Sequence, residues 1–226
     1  MKKVIISFDV DGTLVKPDYD NFIWFKEIPE LYAKKHGIKI SLAKKIVKEE
    51  YDKVGENDPR WYVPQFWLGR FGLGVREEEI LRKYEDKIQI YEDAKAVLPK
   101  LYKEYSLIVS SAMPHSFLEI KLKKDNLFQY FKKIFSAVSD FNMVKKDDTF
   151  YQKICERLGI SPSCIIHVGD NYQADFLVPC KIGIKAFYLK RTNSAAPSST
   201  PFTVRNLLEF ASRLESYVEK LNLSKD

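Results

Sequence analysis

The sequence is poor in cysteine: Cys155, Cys164 and Cys180 are the only three, an odd number without C-x-x-C spacing. That excludes a disulfide framework and provides no zinc pattern, so free, buried thiols are expected. Glycine and proline are sparse, at 9 and 10 residues, which excludes collagen-like and low-complexity chains. No window approaches eighteen apolar residues, and no internal repeat is visible. At the N-terminus, MKKVIISFDVDG has a basic start, but its acids arrive too soon for the apolar core of a signal peptide. A cytosolic protein is expected. The net charge of +6 is spread in short lysine pairs interleaved with Glu and Asp. No helix-turn-helix, Cys/His or stacking-aromatic signature accompanies it, so these are solvated faces and neither a nucleic acid nor a membrane is the expected partner.

What is present is an ordered globule: 226 residues, 45% hydrophobic and 30% charged. Such a chain buries on the order of 70% of its unfolded surface. Continuous apolar runs at Val4 to Phe8, Ser106 to Ser110, Ile134 to Val138, Ile165 to Val168 and Lys185 to Leu189 suggest strands buried on both faces. Helical periodicity separates them, at Asp93 to Tyr105, Ser116 to Leu127, Thr149 to Leu158 and Ala174 to Ile182. The rhythm is βαβ, and the expected fold is α/β: a doubly wound parallel sheet with right-handed crossovers.

One interval breaks the rhythm. ELYAKKHGI, SLAKKIVKEEYDKV, WYVPQFWLGRFGL and EEEILRKYEDKIQIY are candidate helices punctuated by Gly or Pro. Residues 18–90 therefore read as an inserted helical subdomain, and residues 1–17 with 91–226 as the sheet domain. Within the insert, the aromatic stretch DPRWYVPQFWLGRFGLG is better explained by core packing than by substrate contact, although Arg60 and Arg70 could reach an anion. After the loop-like NSAAPSSTP, the segment TVRNLLEFASRLESYVEKL reads as a closing helix with a Thr N-cap.

The first apolar run ends in FDVDGTL. Asp9 and Asp11 lie two apart, on one side of the chain if the strand continues, at the carboxyl edge where open α/β sheets bind ligands. Alone, Asp-Gly also suits a hairpin turn. A calcium loop fits poorly, because glycine falls at position 4 and Asp20 holds position 12. Downstream, KEYSLIVSSAMPH ends a strand in Ser110 and Ser111, VKKDDTFYQKI carries Lys145 and Lys146, and IIHVGDNYQAD holds Asp170 and Asp175.

Taken in order, these four stretches resemble the four motifs of the haloacid dehalogenase-like hydrolase superfamily, over about residues 4 to 15 and 93 to 190. The resemblance implies a Rossmann-like core, with residues 18–90 as a helical cap of the C1 type. It implies Asp9 as the nucleophile that becomes an aspartyl-phosphate, and Asp11 as general acid and base. Ser110 and Ser111, with Gly12 and Thr13, would bind the phosphoryl oxygens. Lys145 is the implied charge-neutralising lysine, because the Phe150-Tyr151 register of K-P-D-P-x-F-Y favours it over Lys146. Magnesium would be held by Asp9, the backbone carbonyl of Asp11 and Asp170, with Asp175 behind them.

The pairing has a physical logic: an ionised carboxylate attacks phosphorus, and a protonated one supplies the leaving alkoxide. A Mg²⁺-dependent phosphatase acting on a small phosphorylated metabolite is therefore expected, as a monomer or dimer. A phosphoglucomutase-like transferase shares the motifs. A 2-haloacid dehalogenase ranks lower because halide leaves without a proton, and a non-catalytic binder of the same fold is disfavoured by the intact acids and lysine.

Overall fold

The computed structural model describes residues 4–191 and 200–223, with side chains through residue 218. Most of NSAAPSSTP and the initial Met-Lys-Lys lie outside the described residues. Six strands form one parallel sheet: β1 (Ile5–Phe8), β2 (Ser106–Ser111), β3 (Phe131–Ser136), β4 (Ile165–Gly169), β5 (Lys185–Leu189) and β6 (Thr203–Val204). Their spatial order, β3-β2-β1-β4-β5-β6, reverses direction beside β1. That switch point opens a crevice at the strands' carboxyl ends.

The continuous apolar runs become strands because crossover helices cover both faces; every residue of β2 and β4 is buried. The edge strand differs from the expected span. β3 starts at Phe131 and stops at Ser136, where Ser136 caps the next short helix by accepting from the Ser139 amide. Lys132 and Lys133 interrupt its apolar run and are exposed, as suits a strand with a solvent-facing edge.

Between β1 and β2 the chain builds α1 (Tyr19–Phe22), α2 (Ile28–His36), α3 (Ile40–Val54), α4 (Pro64–Arg70), α5 (Glu77–Lys83) and α6 (Glu92–Glu104). A π-helical stretch, Ile23–Glu27, joins α1 to α2, so the first inserted helix begins earlier than its charged end suggests. The two chain crossings pair with each other: the Tyr91 amide donates to Leu14 O at 2.9 Å and the Lys16 amide to Gln89 O at 2.9 Å. Past this neck the insert is helical, and its aromatics pack internally. Trp67 is fully buried and lies 4.6 Å from Tyr51 between ring centroids, while Trp24 lies 5.8 Å from Trp61.

The remaining α-helices among the described residues are α7 (His115–Lys123), α8 (Ala137–Phe141), α9 (Asp148–Leu158), α10 (Val178–Lys181), which a π-helical stretch Tyr172–Leu177 precedes, and α11 (Leu207–Leu223). The closing helix α11 does cover the sheet, with Phe210 edge-on to Phe8 and Phe187 at 5.9 and 5.2 Å. Thr203 is a strand residue rather than its cap; the Asn206 side chain accepts from the Glu209 amide instead. Cys155 and Cys164 are buried as expected, but Cys180 is exposed on the short surface helix α10. Among the described residues no helix is long and apolar enough to cross a membrane.

Candidate active site

The Asp9 amide donates to Val168 O at 3.0 Å, which extends the β1–β4 pairing by one residue and fixes the first acid at the switch point. The chain then turns tightly, with the Leu14 and Val15 amides both donating to Val10 O. Gly12 sits in this turn at φ 75°, and a Cβ there would lie 2.0 Å from Asp170 Oδ2. Gly169 is equally constrained, since a Cβ would meet the Asp175 carboxyl carbon at 2.4 Å. Two glycines thus let two backbones close on the acids of the fourth motif.

Asp9, Asp170 and Asp175 each present an oxygen within 4.8 Å of the others. Lys146 is buried among them, paired with Asp9 and, at 2.5 Å, with Asp175. Lys145, favoured by the motif register, is exposed at the rim of the same cleft. Lys146 immediately precedes Asp147, which caps α9 by accepting from the Phe150 amide, and its ion pairs with Asp9 and Asp175 distinguish it from its neighbour. The cleft holds about 610 Å³ and is lined by Asp9, Ala112, Lys146, Asp170, Asn171 and Asp175 among others.

Beneath the acids, a hydrogen-bonded chain crosses three central strands. Ser7 Oγ donates to Ser110 Oγ at 2.8 Å and lies 2.9 Å from His167 Nδ1, whose Nε2 is 3.1 Å from Asp175 Oδ1. Tyr151 also reaches His167 and Asp175 through its hydroxyl. Ser110 is therefore occupied in this buried chain rather than turned to the cleft, a consequence of side-chain alternation along β2. Ser111 ends the strand beside Ala112, and its hydroxyl accepts from the Met113 amide at 3.2 Å. Thr13, fully buried, points its hydroxyl at Asp9 Oδ2 from 3.5 Å.

The electrostatics follow from burial and charge count. Burial pushes the Asp9 carboxyl well above its usual range; Lys146 opposes this, and Asp175 and Asp170 reinforce it. Burial and then Asp175 push Asp170 up to about 6. Burial works against ionised Asp175 too, but Lys146 and His167 overcome it and hold that carboxyl well below the carboxylate range. Burial lowers His167, which lies fully buried in β4 with Ser7 and Asp175 as its partners.

Asp11 is outside this cluster. Its Oδ1 accepts from Lys121 Nζ at 2.6 Å, and the same Nζ lies 2.7 Å from Asp20 Oδ1. Lys121, on α7, is completely buried. Asp11 Oδ2 is buried with no hydrogen-bond partner. Burial, with Asp11 contributing and Lys121 opposing, pushes Asp20 up to about 7.

The motif positions thus converge at one sheet edge, and comparison with known proteins agrees. The sequence pattern of the haloacid dehalogenase-like hydrolases matches residues 4–177. The chain belongs to this family. It is 25% identical over 173 residues to the GMP/IMP nucleotidase YrfG of Escherichia coli strain K12, covering 74% of this chain and 73% of that protein. A crystal structure of a HAD phosphatase from Thermococcus onnurineus superimposes with a TM-score of 0.77 at 26% identity, covering 94% of this chain and 97% of that one. L-2-haloacid dehalogenase from Xanthobacter autotrophicus shares the fold, with a TM-score of 0.57 at 15% identity over 94% and 98% of the two chains.

Family members generally use Mg²⁺, and the donor set here suits a hard dication. Three carboxylates face one lysine, so the cluster carries excess negative charge. Asp175 already serves Lys146, His167 and the Asn171 amide, whereas Asp9 keeps one oxygen met only by the Thr13 hydroxyl at 3.5 Å, so Asp9 and Asp170 are the carboxylates better placed to hold a cation. The Asp11 carboxylate, tied to Lys121, does not join the cluster.

Several contributors carry no linear signal. Lys121 and Asp20 read as ordinary helix residues, and Arg191 as the start of a loop. Yet Arg191 donates to Gly12 O and Thr13 O at 3.0 and 2.6 Å, pairs with Asp93 at 2.9 Å and stacks on Tyr91, bracing the turn from behind. Arg60 and Arg70 instead pair with Asp58 and Glu50 at the surface of the insert.

Proposed function

We propose that this hydrolase is a Mg²⁺-dependent phosphatase that cleaves a small phosphorylated metabolite through an aspartyl-phosphate on Asp9. The observation that carries the proposal is the second acid: Asp11 stands two residues beyond Asp9, with a buried carboxylate oxygen lacking any protein partner. Loss of halide from carbon needs no proton, whereas loss of an alkoxide from phosphorus does. The nucleotidase name of one relative and the phosphatase name of a structural neighbour point the same way.

In the first step an Asp9 carboxylate oxygen bonds to phosphorus, the ester P–O bond breaks with its electron pair on the leaving oxygen, and protonated Asp11 gives that oxygen its proton. In the second, water attacks phosphorus, Asp11 takes a water proton, and the acyl phosphate P–O bond breaks to regenerate the Asp9 carboxylate. Mg²⁺, held by Asp9, Asp170 and the backbone carbonyl of Asp11, would screen the anionic substrate from these acids. Lys146 neutralises Asp9 and incoming phosphoryl charge, and Asp175 with His167 behind it holds Lys146 in place. Ser111, Gly12 and Thr13 bind the phosphoryl oxygens, and residues 18–90 act as a cap that excludes water and selects the substrate. A cytosolic location belongs to the same reading, consistent with three free thiols.

Hydrolysis of p-nitrophenyl phosphate with Mg²⁺ or with EDTA, beside Asp9→Asn, tests the proposal. Release that requires the metal and disappears in Asp9→Asn is expected. Release that survives Asp9→Asn would exclude this nucleophile.

A further inference from the structure

Lys121 is the buried lysine that this mechanism leaves without a role. Its ammonium lies over two aromatic rings, with Nζ 5.7 Å from the Tyr19 ring centre and 5.5 Å from that of Phe117. Tyr19 is itself fixed by a 2.7 Å hydrogen bond from its hydroxyl to Leu81 O. An ammonium group so enclosed is costly unless paired, and its two partners are Asp11 and Asp20. These belong to different parts of the molecule: Asp11 to the turn after β1, Asp20 to the first inserted helix, and Lys121 to α7 of the sheet domain.

The ammonium hydrogen-bonds one oxygen of each partner, Asp11 Oδ1 at 2.6 Å and Asp20 Oδ2 at 2.9 Å. Asp20 Oδ1 lies at ion-pair distance, 2.7 Å, but like Asp11 Oδ2 is buried without a hydrogen-bond partner, so Lys121 fixes one oxygen of Asp11 and leaves the other unengaged. We infer that Lys121 is a positioning residue for Asp11, pinning Oδ1 so that Oδ2 faces the leaving oxygen, and that Asp20 ties this arrangement to the inserted helices. The inference rests on the phosphatase reading and deepens it: the group that delivers the proton is held from the insert as well as from the sheet.

Leaving-group dependence separates positioning from a structural role. Phenyl and p-nitrophenyl phosphate have similar shapes, but phenolate, with a conjugate-acid pKa of about 10, needs a proton far more than p-nitrophenolate. Asp11→Asn should lower kcat/KM for phenyl phosphate by ~10²- to 10⁴-fold, and much less for the nitrophenyl ester. Lys121→Met should show the same split, with a loss of about tenfold or more on phenyl phosphate, a part of the general-acid effect. Added to Asp11→Asn, it should cost nothing further. If Lys121→Met does not fold, Asp20→Asn carries the test, with a smaller loss of the same pattern that also vanishes in the Asp11→Asn background.

Equal losses on both esters, or losses that multiply with those of Asp11→Asn, would overturn the role of Lys121 while leaving the phosphatase reading intact. Absence of a leaving-group split in Asp11→Asn itself, or no hydrolysis of either ester by the unmodified protein, would remove the reading and the inference together.

Discussion

Two buried lysines each face two carboxylates, and their surroundings differ. Lys146 joins Asp9 to Asp175 within the sheet domain, and Asp175 continues through His167 to Ser7 and Ser110 across β4, β1 and β2. Lys121 joins Asp11 to Asp20 and so spans the sheet domain and the inserted helices. The first centre is braced by neighbouring strands of a packed sheet. The second depends on how an inserted segment seats against α7. The proposed nucleophile needs one fixed position, and the proposed acid would have to meet substrates that the insert is proposed to select; the contrast fits that division of labour.

The largest effect that tests the contrast is removal of Lys146. Lys146→Met leaves Asp9 and Asp175 buried without their cation, and loss of one partner from a buried pair costs about 3–5 kcal/mol. Urea unfolding should show a drop of that order together with loss of turnover. Lys145→Met, at the exposed cleft rim, should leave the unfolding midpoint unchanged. If Lys145→Met were the damaging change, the assignment of the site lysine would move back to the motif register.

A second test uses pH. Asp175 is held below its unfolded pKa, so its contribution to stability is present above about pH 4, the ordinary aspartate value, and is lost as pH falls through that range toward its folded value. Asp175→Asn should therefore destabilise the protein more at pH 7 than at pH 3, as compared by denaturant midpoints. An equal penalty at both pH values would mean that Asp175 is not ion-paired in the folded state.

The smallest effect concerns the brace beneath the site. Ser7→Ala removes a hydroxyl that links Ser110 to His167, and leaving a buried polar partner unsatisfied costs ~1–3 kcal/mol. A thermal shift of corresponding size is expected, with little change in KM. A selective rise in KM would instead place Ser7 or Ser110 near bound substrate.

Much of this protein is legible along the chain because the signals are local. Runs apolar on every position become strands covered on both faces, and the repeating strand and helix pattern leads to the parallel sheet. Asp9, Asp170 and Asp175 are recognisable because the stretches that hold them follow apolar runs and resemble the family's motifs. The sequence also marks residues 18–90 as helical, since their period and punctuation do not depend on what they pack against. The start of β3 was hidden because an edge strand tolerates lysines that a central strand would reject.

Tertiary structure decided matters that turn on a single residue's direction or on partners far apart in the chain. Lys145 and Lys146 are equivalent as letters, and only the second is buried against Asp9 and Asp175. Ser110 and Ser111 are likewise equivalent until strand alternation sends the Ser110 hydroxyl to Ser7. Lys121 lies 110 residues from Asp11 and 101 from Asp20, so no spacing rule connects them. Their association exists because folding leaves one fully buried ammonium between two partly buried carboxylates, and in a medium that solvates ions poorly the ammonium has these two as its partners.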